Sequence, residues 1–136
     1  MSNYSVEQIR TVALVGHGDT GKTLLAEALL QRSGAIPAMG SLERGDTLCD
    51  ADPMERDYHH SLSAALVHLS HGDAHIQLID TPGFPDFIGH ALSALAAVDT
   101  ALVVVNAQNG IELNTRRMMH WAGERGLCRM LVVNKI

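Results

Sequence analysis

Apolar positions along this chain switch repeatedly between unbroken runs and a helical spacing. The run "IRTVALV" from Ile9 to Val15 is β-branched and aliphatic and stops at Gly16, which predicts a buried strand. From Lys22 to Gln31 the spacing changes: Leu25 with Leu29, and Ala26 with Leu30, fall four apart on one helical face, and Gly34 marks the expected stop. Residues 35–60 hold no sustained period and contain Pro37, Gly40, Gly45 and Pro53, so a loop is expected there. Loops of that length inside one domain are uncommon and usually functional.

Two short apolar segments follow, Ser63 to Leu69 and His75 to Ile79, and the polar "SHGD" between them predicts an antiparallel hairpin. Beyond "DTPGFPD" the helical period returns, with Phe87, Ala91 and Leu95 on one line, Ile88 and Leu92 beside it, and Asp86 as the expected cap. "ALVVV" at 101–105 has the unbroken apolar character of a central parallel strand covered on both faces. Asn114 to Arg125 fits a helix packed through Met118, Met119 and Ala122, with Gly126 as its stop, and "RMLVV" at 129–133 is the last strand. Alternation of strands and helices predicts an α/β three-layer sandwich, its sheet mostly parallel with one antiparallel hairpin strand. Ligands of such sheets bind outside the carboxyl ends of the strands.

Composition narrows the choice. A chain of 136 residues is one domain with one core, and 46% hydrophobic and 18% charged residues argue against disorder. A net charge of -5, with only ten Lys and Arg, excludes a broad basic face, so no direct DNA binding is expected. No segment approaches the ~20 apolar residues that span a bilayer, and no basic flank precedes an apolar N-terminal stretch. No membrane association and a cytoplasmic location are therefore expected. Cys49 and Cys128 lack metal-ligand spacing and read as reduced thiols. His71 and His75 lie four apart, but Gly72 and Asp73 between them make a turn, whereas a zinc hydrolase needs that spacing on a helix. These two and His68 fit surface or strand-packing roles.

The strongest chemical signal is "GHGDTGKT". It matches G-x-x-x-x-G-K-S/T through Gly16, Gly21, Lys22 and Thr23, between a predicted strand and a predicted helix. Glycines let the loop formed with His17, Gly18, Asp19 and Thr20 turn its amides inward onto phosphate oxygens, and the helix N-terminus adds partial positive charge. Lys22 would bridge the outer phosphates and Thr23 would ligate Mg²⁺. The bland alternative is a glycine turn with a solvated lysine, but four fixed positions recur by chance in such a chain at roughly one per cent or less. Asp80, at the end of the strand before "TPGF", is placed to hold Mg²⁺, and the amide of Gly83 to meet the terminal phosphate.

Together these motifs resemble those of the translational GTPases, most of all elongation factor G and its divergent relatives. "GHGDTGKT" is similar to the family's phosphate loop, "DTPGF" to its D-T-P-G element, and "NKI" to the start of its guanine-reading N-K-x-D; "GSLERGDTLCDADP" and "VVVNAQNGIELNT" resemble flanking stretches. The resemblance implies a P-loop NTPase fold of the G-domain type, truncated at its C-terminal end, with switch I at about 35–62 and switch II at about 80–92. It also implies GTP and GDP as ligands, Asn134 and Lys135 framing guanine, Ser61 joining Thr23 and Asp80 on Mg²⁺, and the ribosome as partner of the full-length factor. Two departures follow. Phe84 stands where the family's elongation factors usually carry a histidine that positions the attacking water, which points to poor hydrolysis; His17, His59, His60 and His90 are candidate substitutes. The guanine-binding aspartate is expected just after Ile136, so the chain as given is expected to bind weakly, with poor guanine selectivity and with the strand carrying Asn134 exposed or abnormally paired.

Overall fold

The computed structural model describes residues 4–50, 52–58 and 60–136. Strand β1 (Ile9–Gly16) leads into helix α1 (Lys22–Arg32); a short helix α2 (Pro53–Tyr58) precedes the hairpin of β2 (Ala65–His71) and β3 (Ala74–Asp80). Helix α3 (Ile88–Ala96), β4 (Thr100–Asn106), α4 (Leu113–Glu124) and β5 (Cys128–Asn134) complete the chain. The sheet order is β2-β3-β1-β4-β5, antiparallel only between β2 and β3. β1 lies at the point where the order reverses, with β3 on one side and β4 on the other, and that is where open α/β sheets bind ligands.

Period-two alternation builds the layers. Ala13, Leu14 and Val15 are consecutive and each 0% exposed, because the sheet is covered on both faces. Leu14, with Leu78 and Val104, packs beneath α1 through Ala26 and Leu30. Ala13 and Val15, with Ala101 and Val103, pack against Ala91, Leu95, Met118 and Ala122 of α3 and α4. A fully buried leucine contributes about 1.5–3 kcal/mol by leaving water, so these two clusters secure the central strands. Both predicted glycine stops hold: Ala35 N donates to Leu30 O at 2.9 Å and Leu127 N to Ala122 O at 3.0 Å, each closing its helix just past the glycine.

Three expectations change. The loop 35–60 contains α2, held by a reciprocal cap: Met54 N donates to Asp52 Oδ1 at 2.8 Å, and Asp52 N to Glu55 Oε2 at 3.2 Å. The signal was present in "DPME", a cap residue, proline at the first helical position and glutamate at the third, but six residues are too few to show a period. The hairpin turn is tighter than "SHGD", since Ser70 pairs with His75 and His71 with Ala74, leaving Gly72 and Asp73 alone at the bend. Asp86 does not cap α3. A 3-10 turn at Pro85–Phe87 intervenes, and the helix begins after Phe87 with no side-chain cap. The expectation for β5 holds through its exposure, with Met130 56% and Leu131 53% accessible, and its pairing is regular, from Thr100 with Cys128 to Asn106 with Asn134. Among the described residues no helix is long and apolar enough to cross a membrane. Cys49 is buried, Cys128 is exposed, and both are free.

Candidate functional site

The loop between β1 and α1 leaves the sheet at its carboxyl end. At Gly16 a Cβ would collide with the Val104 carbonyl oxygen, so the close approach of β1 to β4 requires glycine there. Asp19 takes a left-handed φ of 58°, which aspartate tolerates better than most residues, and Gly21 at 85° turns the chain into α1. Lys22 and Thr23 open that helix and are 6% and 9% exposed. The Lys22 ammonium donates to the His17 carbonyl at 2.7 Å, and the Thr20 hydroxyl donates to the same oxygen at 3.1 Å. Burial lowers the Lys22 pKa to about 8, against the upward pull of Asp80, Asp19 and Glu112.

Asp80, ending β3, stands beside it and is 1% exposed. The Thr23 hydroxyl donates to Asp80 Oδ2 at 2.7 Å, and Asp80 Oδ1 is buried without a partner. Ser61 approaches from the long segment, its hydroxyl oxygen 3.2 Å from that of Thr23, while donating to Asp50 Oδ1 at 2.7 Å. Two hydroxyl protons thus serve three contacts, Thr23 to Asp80, Ser61 to Asp50 and Thr23 with Ser61, which leaves hydroxyl lone pairs available beside the carboxylates. Such a set of oxygens, with an orphaned carboxylate oxygen alongside, suits a hard cation. Burial pushes the Asp80 carboxyl up to about 6; Thr23 and Lys22 oppose the shift and Asp50 adds to it.

The turn after Asp80 closes over the loop. Thr81 donates to the Leu14 carbonyl at 2.6 Å, and Asn114 Nδ2 on α4 donates to the Gly83 carbonyl at 2.8 Å. A Cβ on Gly83 would strike the Lys22 ammonium and the His17 carbonyl, so this turn rests directly on Lys22. Asn134 Nδ2 donates to the Thr20 carbonyl at 2.9 Å, and Lys135 Cε stands 3.9 Å from where a Gly21 Cβ would lie. The cavity left between these parts is about 50 Å³. That exceeds the ~10–15 Å³ one water needs but falls far below the ~300–1,000 Å³ of ligand pockets, and Lys22 and Gly83 are among the residues that line it.

This arrangement coincides with a match to the family described as "Elongation factor Tu GTP binding domain", over residues 7–136. The chain belongs to that family. It is a translational-GTPase G domain related to elongation factor G. Among its relatives, an "Elongation factor G-like protein" of Mycobacterium tuberculosis is 35% identical over 94% of this chain and 18% of its own length. "Ribosome-releasing factor 2, mitochondrial" of Schizosaccharomyces pombe is 33% identical over 99% of this chain and 17% of its own. A crystal structure from Thermus thermophilus superposes with a TM-score of 0.91 at 41% identity, covering 94% of this chain and 19% of that one. The chain thus spans about a fifth of the length of these relatives.

Within this G domain, the residues from Gly16 to Thr23 meet Ser61, Asp80 and Gly83 in one place, and Asn134 and Lys135 stand against Gly21. Of the four candidate histidines, His60 lines the cavity, its ring 4.7 Å from that of Phe84. His17 is turned to Glu112, 3.6 Å away, and His90 is exposed on α3; His59 lies outside the described residues. Sequence reasoning missed Asp50, Glu27 and Glu55. Glu27 on α1 receives the amides of Gly40 at 2.8 Å and Leu48 at 2.6 Å, and Glu55 receives those of Leu62 at 2.9 Å and Ser63 at 3.0 Å. Main-chain amides are present at nearly every position, so no spacing of side chains reveals which of them a buried glutamate will meet.

Proposed function

We propose that the chain binds GTP with Mg²⁺ and hydrolyses it, in the cytoplasm, to drive a ribosome-associated conformational change of the factor to which its relatives correspond. The observation that carries this is the meeting of Thr23, Ser61 and the orphaned Asp80 Oδ1 beside the Lys22 ammonium. Lys22 would leave the His17 carbonyl for the outer phosphates, exchanging one neutral acceptor for charged ones. Thr23 and Ser61 would face the metal, with Asp80 behind them. Mg²⁺ supplies neutralisation of the charge that develops on the phosphate oxygens.

Residues 35–62 would serve as switch I and 80–92 as switch II. Ser61 belongs to the first and Gly83 to the second, so both would respond to the terminal phosphate. Asn134 and Lys135 would frame the guanine, Asn134 bracing the phosphate loop through Thr20. Titration with GTP and GDP, with and without Mg²⁺, tests this: Lys22→Ala should weaken Mg²⁺-dependent binding by roughly a hundredfold, about 2.7 kcal/mol. Binding indifferent to both Mg²⁺ and Lys22 would overturn it. A second reading is a switch module that scarcely hydrolyses, favoured by the Phe84 ring, which lies against Gly18 and brings no hydrogen-bonding group. Single-turnover hydrolysis with and without ribosomes separates the two.

A further inference from the structure

Thr23 and Ser61 reach the candidate metal position from different parts of the chain and are held there in different ways. Thr23 opens α1, which is fixed to the sheet through Ala26 and Leu30, so regular backbone places its hydroxyl. Ser61 lies between α2 and β2, outside any helix or strand, and a serine hydroxyl left to itself rotates between staggered positions. Asp50 fixes it: Ser61 Oγ donates to Asp50 Oδ1 at 2.7 Å. The other carboxylate oxygen is occupied as well, since Thr47 Oγ1 donates to Asp50 Oδ2 at 3.1 Å, and the Asp50 carbonyl accepts from Arg56 Nε at 3.3 Å. Asp50 is 2% exposed and Thr47 3%, so this carboxylate is gripped inside the fold by both oxygens.

Asp80, Thr23, Ser61 and Asp50 form a row, with successive contacts of 2.7, 3.2 and 2.7 Å. A carboxylate stands at each end and accepts the proton of the hydroxyl beside it. A hydroxyl whose proton is drawn to a carboxylate carries a more negative oxygen, with its lone pairs left for a cation. Asp80 does this for Thr23, and Asp50 does it for Ser61. Asp50 also adds to the rise in the Asp80 pKa, so the two negative charges repel each other and a cation beside them would relieve the repulsion. Resting on the proposed nucleotide and Mg²⁺ site, we infer that Asp50 is a positioning residue that sets the Ser61 hydroxyl for the metal, acting through Ser61 and touching neither ion nor nucleotide. Asp50 and Ser61 both belong to residues 35–62, so the setting is made only when that segment lies over Thr23. It therefore favours the nucleotide state in which the segment is closed, the triphosphate, over the diphosphate.

The test compares the chain with Asp50→Ala, Asp50→Asn, Ser61→Ala and the double variant Asp50→Ala/Ser61→Ala. Nucleotide binding is titrated with Mg²⁺, once with a non-hydrolysable GTP analogue and once with GDP, and folding is read by urea unfolding without ligand. Removing a group that orients a metal ligand typically costs about 10–100-fold in metal affinity. Asp50→Ala should therefore raise the Mg²⁺ concentration at half-saturation at least about tenfold with the analogue and less than about threefold with GDP. Asp50→Asn keeps one acceptor oxygen and should fall between the parent and Asp50→Ala. Ser61→Ala should reproduce the selective loss, and adding Asp50→Ala to it should move the midpoint less than about twofold further, because groups acting through one interaction are not additive. Equal losses with the analogue and GDP, or a double variant that shows the product of the two single effects, would make Asp50 a purely structural residue and overturn the inference. If Asp50→Ala does not fold, Asp50→Asn carries the same comparison, and the lack of a selective effect there overturns the inference too. A parent whose binding depends on Mg²⁺ while Asp50→Ala leaves that dependence unchanged overturns this inference alone, and a parent whose binding ignores Mg²⁺ overturns the proposed function with it.

Discussion

Glu27 on α1, Glu55 within the segment 35–63, and Asp80 at the end of β3 are all nearly excluded from solvent, at 1%, 3% and 1% exposure. Their partners differ. Every oxygen of the two glutamates accepts a backbone amide, whereas Asp80 has one oxygen on Thr23 and another on nothing. Satisfied carboxylates replace their lost water with fixed donors and act as cross-links that hold a loop in one path. A carboxylate left half-satisfied carries an uncompensated cost, and the fold retains it beside a lysine that is itself desolvated. Satisfied and half-satisfied carboxylates therefore stand in neighbouring regions that a count of buried acids would treat alike.

Removing the best-satisfied group should cost most. Glu55→Ala strands the amides of Leu62 and Ser63 and breaks the α2 cap, so a loss of about 3 kcal/mol in urea unfolding is expected; a loss below about 1 kcal/mol would mean that water replaces the carboxylate. Glu27→Gln keeps the volume but points an amide NH₂ at a backbone donor, and about 2 kcal/mol is expected from the same measurement. Asp80→Asn should behave differently. Without ligand it removes a buried charge lacking a full set of partners, so stability should change by less than about 1 kcal/mol or rise, while the Mg²⁺ dependence of GTP binding disappears. If it destabilises as strongly as Glu55→Ala, the contrast fails.

Acid provides the smallest effect. Burial pushes the Glu55 carboxyl up, but the amides of Ser63, Leu62 and Asp52 and the Ser63 hydroxyl outweigh it, so its pKa lies below the ordinary 4.5. A carboxylate depressed in the folded state stabilises that state above its unfolded pKa, and the contribution is lost as pH falls through the folded value. Amide exchange at Leu62 and Ser63 should therefore rise below pH 4.5 relative to the central strands, without global unfolding. Uniform protection at those amides down to the acid transition would show that Glu55 is not their anchor.

Legibility followed the range of the forces involved. β1, α1 and the loop from Gly16 to Thr23 were readable because strand composition, helical spacing and glycine placement act within a few residues. The hairpin was readable in outline, and only its bend was tighter. α2 was missed although "DPME" encodes its cap, since a single turn leaves no period. Asp86 misled because a capping residue looks the same whether a helix or a 3-10 turn follows. At the candidate site, motifs singled out Lys22, Thr23 and Asp80, which the fold brings together, but four histidines stood level until tertiary contacts set His60 against Phe84.

The amino-acid order alone determined a mostly parallel α/β sheet with one antiparallel hairpin strand, a glycine-rich turn at the carboxyl end of its first strand, and an acidic residue ending the third. Those features rest on local backbone preference and on which side chains must leave water. Only the folded chain decided that Ser61 reaches Thr23 while held by Asp50, that the Lys22 ammonium turns onto the His17 carbonyl, and that the imidazole at the mouth comes from the long segment. No sequence period specifies those meetings, because the path of residues 35–63 is set by hydrogen bonds to two buried glutamates, one of them on α1.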